Sequence, residues 1–358
     1  MSVFPSLKIG NLEIDPPIIQ GGMGVRVSLA NMASAVANEG CAGVIATAGI
    51  GRFLDFPNSE FIEVNKEGLR YEIRKARKQS NGIIGVNVMV ALSDYPNLVQ
   101  TAVEENIDLV ISGAGLPLDL PKYAQGKDVK LVPVVSSVRA FTIICSRWQK
   151  RYNRLPDAVL VEGVKAGGHL GFHYDEVVNN TTASLEEIVR EIVPVANSFT
   201  PKIPVIAAGG IFDGKDINYF LKMGASGVQM ATRFVCTDEC DVHDNFKQAY
   251  LNATKEDVVI IKSPVGLPGK VIRNDFVDRI MGGERVPYHC KFKCLRSCNS
   301  KEASYCIAEV LANAADGKLD KSFAFAGSNV YRCNEIVTVK TLIKQLTKEY
   351  EIAINHSD

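Results

Sequence analysis

The stretch IPVIAAGGIFDGKDINYFLKMGASGVQMATRF (203–234) holds one full strand–helix–strand unit. Ile203–Ala207 is a short, continuously apolar run, as expected of a strand buried on both faces of a parallel sheet. A Gly209-Gly210 turn follows, then Asp213 stands as N-cap of a predicted helix over 213–223, and Gly227–Ala231 begins the next strand. The same alternation runs back to the N-terminus. Strands are predicted at Pro17–Gln20, Gly43–Thr47, Ile83–Val88, Asp108–Ser112, Lys130–Val135 and Ala158–Glu162. Helices are predicted at 28–39, 65–80, 96–106, 118–126, 137–151 and 184–197, with Ser28, Ser137 and Ser184 near three of their starts. Eight strands alternating with helices predict an α/β fold, a (β/α)8 TIM barrel. The competing open doubly wound sheet would carry GxGxxG after its first strand, and Gly21-Gly22-Met23-Gly24 does not fit that pattern.

Past residue 235 the alternation stops. The expected organisation is a barrel over 1–235, a smaller, mainly helical second domain over 236–325 and a C-terminal segment, 326–358, returning to the barrel. Helical patterns in the appendage cover 243–253, 273–281 and 301–315, joined by turn-rich sequence such as SPVGLPG (263–269), and an amphipathic helix is expected at 335–349.

Composition narrows the function. The chain has 358 residues, 40 basic against 40 acidic side chains, 46% hydrophobic residues and 29 glycines. Zero formal net charge argues against a nucleic-acid partner, whose phosphates call for a basic surplus. The apolar content excludes a largely disordered chain, and no apolar run is long enough to span a bilayer. MSVFPSLKIGNLEID (1–15) does not read as a secretory signal, so a soluble cytoplasmic protein is expected, with oligomer formation left open.

In a parallel barrel the active site lies at the C-terminal ends of the strands. The first exit, Gln20-Gly21-Gly22-Met23-Gly24, would let a planar ligand approach the backbone. The seventh and eighth, Ala208-Gly209-Gly210 and Met230-Ala231-Thr232, offer bare N–H groups beside helix N-termini for a phosphate. The sixth, GVKAGGHLG (163–171), carries His169, placed to enter the barrel mouth as a general acid or base. His173 is a weaker candidate; His243, His289 and His356 lie away from the strand exits and read as surface or structural groups.

Taken together, IIQGGMGVRVS (18–28), GVNVMV (85–90), VEGVKAGGHLGF (161–172), IPVIAAGGI (203–211) and GASGVQMATRF (224–234) resemble the nitronate monooxygenase family. Its FMN-dependent relatives include enoyl-acyl-carrier-protein reductase II and a NADH:quinone reductase. SPVGLPGK (263–270) and FAFAGSNVYR (323–332) resemble its later segments. The resemblance implies an FMN-dependent oxidoreductase. In it Gln20, Gly21, Gly22 and Met23 would line the isoalloxazine ring, with Asn87 near it. Gly167, Gly168, Gly209, Gly210, Met230, Ala231 and Thr232 would hold the ribityl phosphate, and His169 would be the active-site base. The implied reaction is oxidation of an alkyl nitronate by O2 to a carbonyl compound and nitrite. The alternative is NAD(P)H-dependent reduction of an enoyl thioester, and a third reading is a flavin- or phosphate-binding barrel without catalysis. No metal is assigned to the flavin chemistry.

Two departures stand out. Where the reductases usually carry a Trp-Val pair after the first glycines, this chain has Gly24-Val25-Arg26, and Arg26 would sit near the flavin edge or in a surface ion pair. Nine cysteines include a cluster, Cys290, Cys294, Cys298 and Cys306. Its spacing fits neither a zinc ribbon nor the common ferredoxin runs. On a helix, Cys290, Cys294 and Cys298 would share one face and pack as free thiols. A metal or iron–sulfur site and redox-active thiols remain alternatives.

Overall fold

The computed structural model describes residues 3–53, 61–290 and 292–356. An antiparallel hairpin, β1 (Leu7–Ile9) and β2 (Leu12–Ile14), precedes the barrel. The barrel strands are β3 (Ile18–Gln20), β4 (Gly43–Ala46), β5 (Ile84–Met89), β6 (Leu109–Gly113), β7 (Lys130–Val135), β8 (Val159–Glu162), β10 (Val205–Ala208) and β11 (Gly227–Met230), with β9 (Gly168–His169) outside it. All eight pair in parallel in the order β3-β11-β10-β8-β7-β6-β5-β4. The ring closes at one bridge, Ile19 to Ala42, where Gln20 N–H donates to the Ala42 carbonyl at 2.9 Å. The predicted strands therefore stand, each within a residue or two of its expected bounds.

The apolar runs are buried on both faces because two cores meet at every strand. Inside the barrel, Ile19, Val44, Ile111, Val132, Leu160 and Ile206 pack together, and Leu7, Ile9 and Ile14 of the hairpin join them as a floor. Each fully buried aliphatic side chain there contributes about 1.5–3 kcal/mol. Outside, the barrel packs against the helices α1 (Ala30–Asn38), α2 (Phe61–Gln79), α3 (Tyr95–Glu104), α4 (Val138–Tyr152), α6 (Leu185–Asn197) and α7 (Gly214–Lys222), with the short α5 (Tyr174–Val178) between β9 and α6. Ser137, Ser184 and Asp213 cap their helices as expected. Ser28 does not. Leu29 stands at the N-cap of α1, and the Ser28 hydroxyl instead accepts from Met23 N at 2.8 Å, holding the first glycine turn. The expected helix 118–126 is a single 3-10 turn, Leu120–Ala124, set between Pro117 and Gly126 and leaving no room for an α-helix.

After α8 (Thr232–Val235) come α9 (Asp244–Asn252), α10 (Asp275–Met281), α11 (Ile307–Ala315) and α12 (Val339–Asn355). Sequence reading missed a hairpin among them, β12 (Val258–Lys262) and β13 (Pro268–Ile272), joined by the turn-rich SPVGLPG stretch. β13 also pairs with β9, bringing Gly269 opposite His169. α12 lies against α7, with Glu349 accepting from Gly214 N and ion-paired to Arg233, each at 3.0 Å. Among the described residues no helix is long and apolar enough to cross a membrane.

Candidate active site

A cavity of about 750 Å³ opens at the C-terminal ends of the barrel strands. Gly21, Gly22, Met23 and Asn87 border one side of it, and Gly167, Gly168, Gly209 and Gly210 another. Met230, Ala231, Thr232 and His169 line it too. Gln20 is the one expected site residue that does not. Fully buried, it gives its Nε2 hydrogen to the Gly21 carbonyl, and its Oε1 accepts from Val44 N at 2.8 Å. Its side chain braces the first strand exit from behind and offers nothing to a ring in the cavity.

At the first exit the backbone comes close because Gly22 has no side chain. A Cβ there would stand 2.5 Å from the Asn87 Cβ, and Asn87 Nδ2 donates to the Gly22 carbonyl at 3.3 Å. Beside Gly21, the buried Gln229 Oε1 has no hydrogen-bond partner. An unpaired buried acceptor costs about 1–3 kcal/mol, so this wall suits a ligand bringing an N–H donor.

The opposite side is shaped for an anion. Gly209 and Gly210 hold φ of +99° and +90°, a left-handed conformation that favours glycine and leaves the turn bare of side chains. A Cβ on Gly210 would lie 2.8 Å from the Lys165 Cβ, so that lysine stands directly over the turn. Asn329 Nδ2 donates to the Gly210 carbonyl at 2.6 Å and leaves its N–H free. Of the helix N-termini expected to assist, that of α7 is not available. Asp213 caps α7, Glu349 takes the Gly214 N–H, and a Cβ on Gly214 would meet Tyr350 N at 2.1 Å. On this side the cradle is a glycine turn plus a lysine, and the start of the short α8, Thr232 with Ala231 as its N-cap, also lines the cavity. Behind it, Lys270 Nζ donates to the Val164 carbonyl and to Ser328 Oγ, the latter at 2.7 Å. Burial, then the nearby Lys165 charge, lowers its ammonium to about 8, with Glu162 opposing. Burial pushes the Glu162 carboxyl up to about 7, with Lys270 pulling it back.

His169 reaches the cavity from β9, fixed by its pairing to β13. Its Nε2 lies 2.7 Å from Ser263 Oγ, which also accepts from Val265 N at 3.3 Å. The Phe325 ring meets the imidazole edge-on, with centroids 4.9 Å apart. Burial lowers its pKa to about 4, so the ring is neutral at physiological pH. It can hold a hydrogen bond in either direction there but brings no charge. Ser263 was not a sequence candidate: it stands 94 positions away, and no local spacing signals the contact. Of the other histidines, His173 and His243 cap helices, His356 ends α12, and His289 is exposed, as expected, and also borders the cavity. Arg26 pairs with Asp316 at 3.0 Å and does not line the cavity.

The cysteine cluster is not on a helix. Among the described residues the chain from the end of α10 to the start of α11 is irregular apart from one bridge, Leu92 to Leu295, so a shared helix face does not explain the spacing. Cys290, Cys294 and Cys306 border the cavity.

Comparison with known proteins gives a coherent set of matches. A family model described as nitronate monooxygenase matches residues 5–102 and 63–349. A Mycobacterium tuberculosis protein named (3aS,4S,5R,7aS)-5-hydroxy-7a-methyl-1-oxo-octahydro-1H-indene-4-carboxyl-CoA dehydrogenase is 27% identical over 275 residues, covering 77% of this chain and 68% of that one. A probable nitronate monooxygenase of Staphylococcus aureus is 26% identical, covering 75% and 78%. The solved structure of FabK from Thermotoga maritima superposes with a TM-score of 0.75 at 27% identity, covering 95% of this chain and 94% of that one.

Proposed function

Because the chain belongs to the nitronate monooxygenase family and is an oxidoreductase, we propose that it uses FMN to reduce an uncharged, carbonyl-activated double bond such as that of an enoyl thioester. The observation that carries this reading is the neutral His169 beside Ser263. The residues fit FMN at both ends: the Gly209-Gly210 turn with Lys165 suits the phosphate, and Gly21, Gly22, Met23 and Asn87 suit a planar ring. Met230, Ala231 and Thr232 complete the phosphate side, with Gly167 and Gly168. When bound, FMN would supply hydride exchange between a nicotinamide donor and the substrate.

The chain's own part is to position the substrate and answer the charge that develops on it. Adding hydride to the β-carbon of an enoyl thioester drives negative charge onto the carbonyl oxygen. With Val265 N–H on the Ser263 oxygen, the serine hydrogen is free to go to Nε2, and the imidazole proton then sits on Nδ1. A neutral Nδ1–H donor aimed at that oxygen is worth more inside a closed cavity than in water. Phe325 on the edge of the ring and Ser263 on Nε2 keep the donor from turning away.

Oxidation of an alkyl nitronate with O2 is the second reading, favoured by the family description and by the Staphylococcus aureus relative's name. A nitronate is an anion, however, and neither His169 nor Arg26, already paired with Asp316, offers it a free positive charge. Anaerobic reduction separates the two. NADH or NADPH should bleach the bound flavin, and a 2-enoyl thioester should restore its colour. Bleaching by an alkyl nitronate with none by NAD(P)H would overturn the reductase reading in favour of the monooxygenase.

A further inference from the structure

We propose that Cys290, Cys294, Cys298 and Cys306 ligate an iron–sulfur cluster set in the wall of the cavity that holds His169. The cysteines of this chain fall into two groups. Cys41, Cys145, Cys236, Cys240 and Cys333 are buried, as free cysteines ordinarily are, whereas all four in the cluster are half-exposed. Three of them, Cys290, Cys294 and Cys306, border the cavity, where thiols that served only as small apolar packing groups would not be gathered.

The segment that carries them has no regular structure to explain it, yet it is tied down along its length. Ser93 N donates to the Cys294 carbonyl at 3.0 Å and Arg296 N to the Ala91 carbonyl at 2.9 Å, joining the middle of the segment to the exit of β5. Ser297 Oγ donates to the Val265 carbonyl at 3.1 Å, beside the Ser263 that meets His169. Val286 N donates to the Ser304 carbonyl at 2.8 Å and Tyr288 OH to the Ser300 carbonyl at 3.1 Å, folding the two arms onto each other. Lys293, with φ of 44°, turns the chain sharply between Cys290 and Cys294, which a helix could not do. Irregular segments of this length inside a compact domain are usually functional. The folding-over brings the two arms together, and Cys290, Cys294 and Cys306 border one cavity.

The ligand class follows from spacing and charge. The spacing Cys290-x3-Cys294-x3-Cys298-x7-Cys306 lacks the C-x2-C pairs of a zinc ribbon. A zinc ion, with Zn–S bonds of about 2.3 Å, draws four sulfurs into a tight tetrahedron. A four-iron cluster is ligated at its corners, so its thiolates stand farther apart. Four thiolates on such a cluster leave a net charge of roughly −2. From 285 to 301 the sequence has no acidic side chain, while Arg285, Lys291, Lys293, Arg296 and Lys301 are basic, a local excess of cation in a chain of zero net charge. Loading an assembled cluster is ligand exchange: four iron–thiolate bonds form, the donor's thiolate ligands leave with the four protons, and no electron moves.

Iron and acid-labile sulfide in anaerobically purified protein test this directly, and neither readout depends on flavin chemistry or on the substrate. About four of each per chain are expected. C294S and C298S should lose both while retaining the far-ultraviolet circular dichroism of the parent and its bound flavin. Iron and sulfide at background, in protein as purified and after anaerobic reconstitution, would overturn the proposal. So would one zinc per chain, or full iron and sulfide in both variants.

Discussion

Replacing His169 by asparagine should make the protein less sensitive to acid. The imidazole titrates near 6.5 when exposed and near 4 in the fold, where burial penalises its charged form. Above 6.5 both states are neutral and the shift costs nothing. As pH falls from 6.5 towards 4 the unfolded chain takes up a proton that the folded chain refuses, so stability is lost across that window. Below 4 the folded state protonates too and the loss levels off, at about 3.4 kcal/mol for a shift of that size. Between pH 7 and pH 5 this one group should remove about 2 kcal/mol. Urea unfolding of flavin-free protein, wild type against H169N, isolates it, because the other titrating groups are common to both. The wild type should lose about 2 kcal/mol more than H169N between those two pH values. Parallel pH profiles would show that His169 is not held neutral, and with that the case for an uncharged substrate would fail.

Three further outcomes follow from the same geometry. G22A drives a Cβ into the Asn87 side chain, and overpacking of that kind costs about 1–3 kcal/mol, so flavin affinity, followed by quenching of FMN fluorescence, should fall about tenfold or more. S263A removes the partner that orients His169; a lost hydrogen bond of about 0.5–1.5 kcal/mol should lower kcat roughly 3- to 10-fold with flavin affinity unchanged. Glu162 gains its charge as pH rises through about 7, beside the proposed phosphate cradle, so FMN should bind more weakly at pH 8 than at pH 6. E162Q should flatten that difference in a fluorescence titration, and an unchanged pH profile would place the carboxylate outside the phosphate's reach.

The barrel was legible because parallel strands buried on both faces leave a mark that needs no partner to be read: GVIA in β4 and VIAA in β10 are apolar at every position. The glycine exits were legible for the same local reason. What sequence could not supply was direction and occupancy. Gln20 belongs to the first exit motif, yet its side chain turns back to Val44 N, because the closing β3–β4 edge is held by little else. The α7 N-terminus has the sequence of a phosphate site, yet Glu349, 135 positions away, occupies it. Ser263 is invisible beside His169 until the β12–β13 hairpin folds across β9.

The hairpin also changes what kind of active site this is. A barrel with its catalytic group on a strand-exit loop alone would let that group move with the loop. Here His169 is itself a ladder residue, paired to Gly269, and a Cβ on Gly269 would stand 3.1 Å from the Phe325 ring that braces the imidazole. A side chain at Gly269 would press on the Phe325 ring by a few tenths of an ångström, on the strand that pairs with His169. G269A should push Phe325 from the imidazole edge while leaving the flavin side of the cavity, built from other strands, intact. Turnover should fall and FMN affinity should hold. Loss of both together would mean that the hairpin supports the cavity as a whole, and that the orientation of His169 is not its separate task.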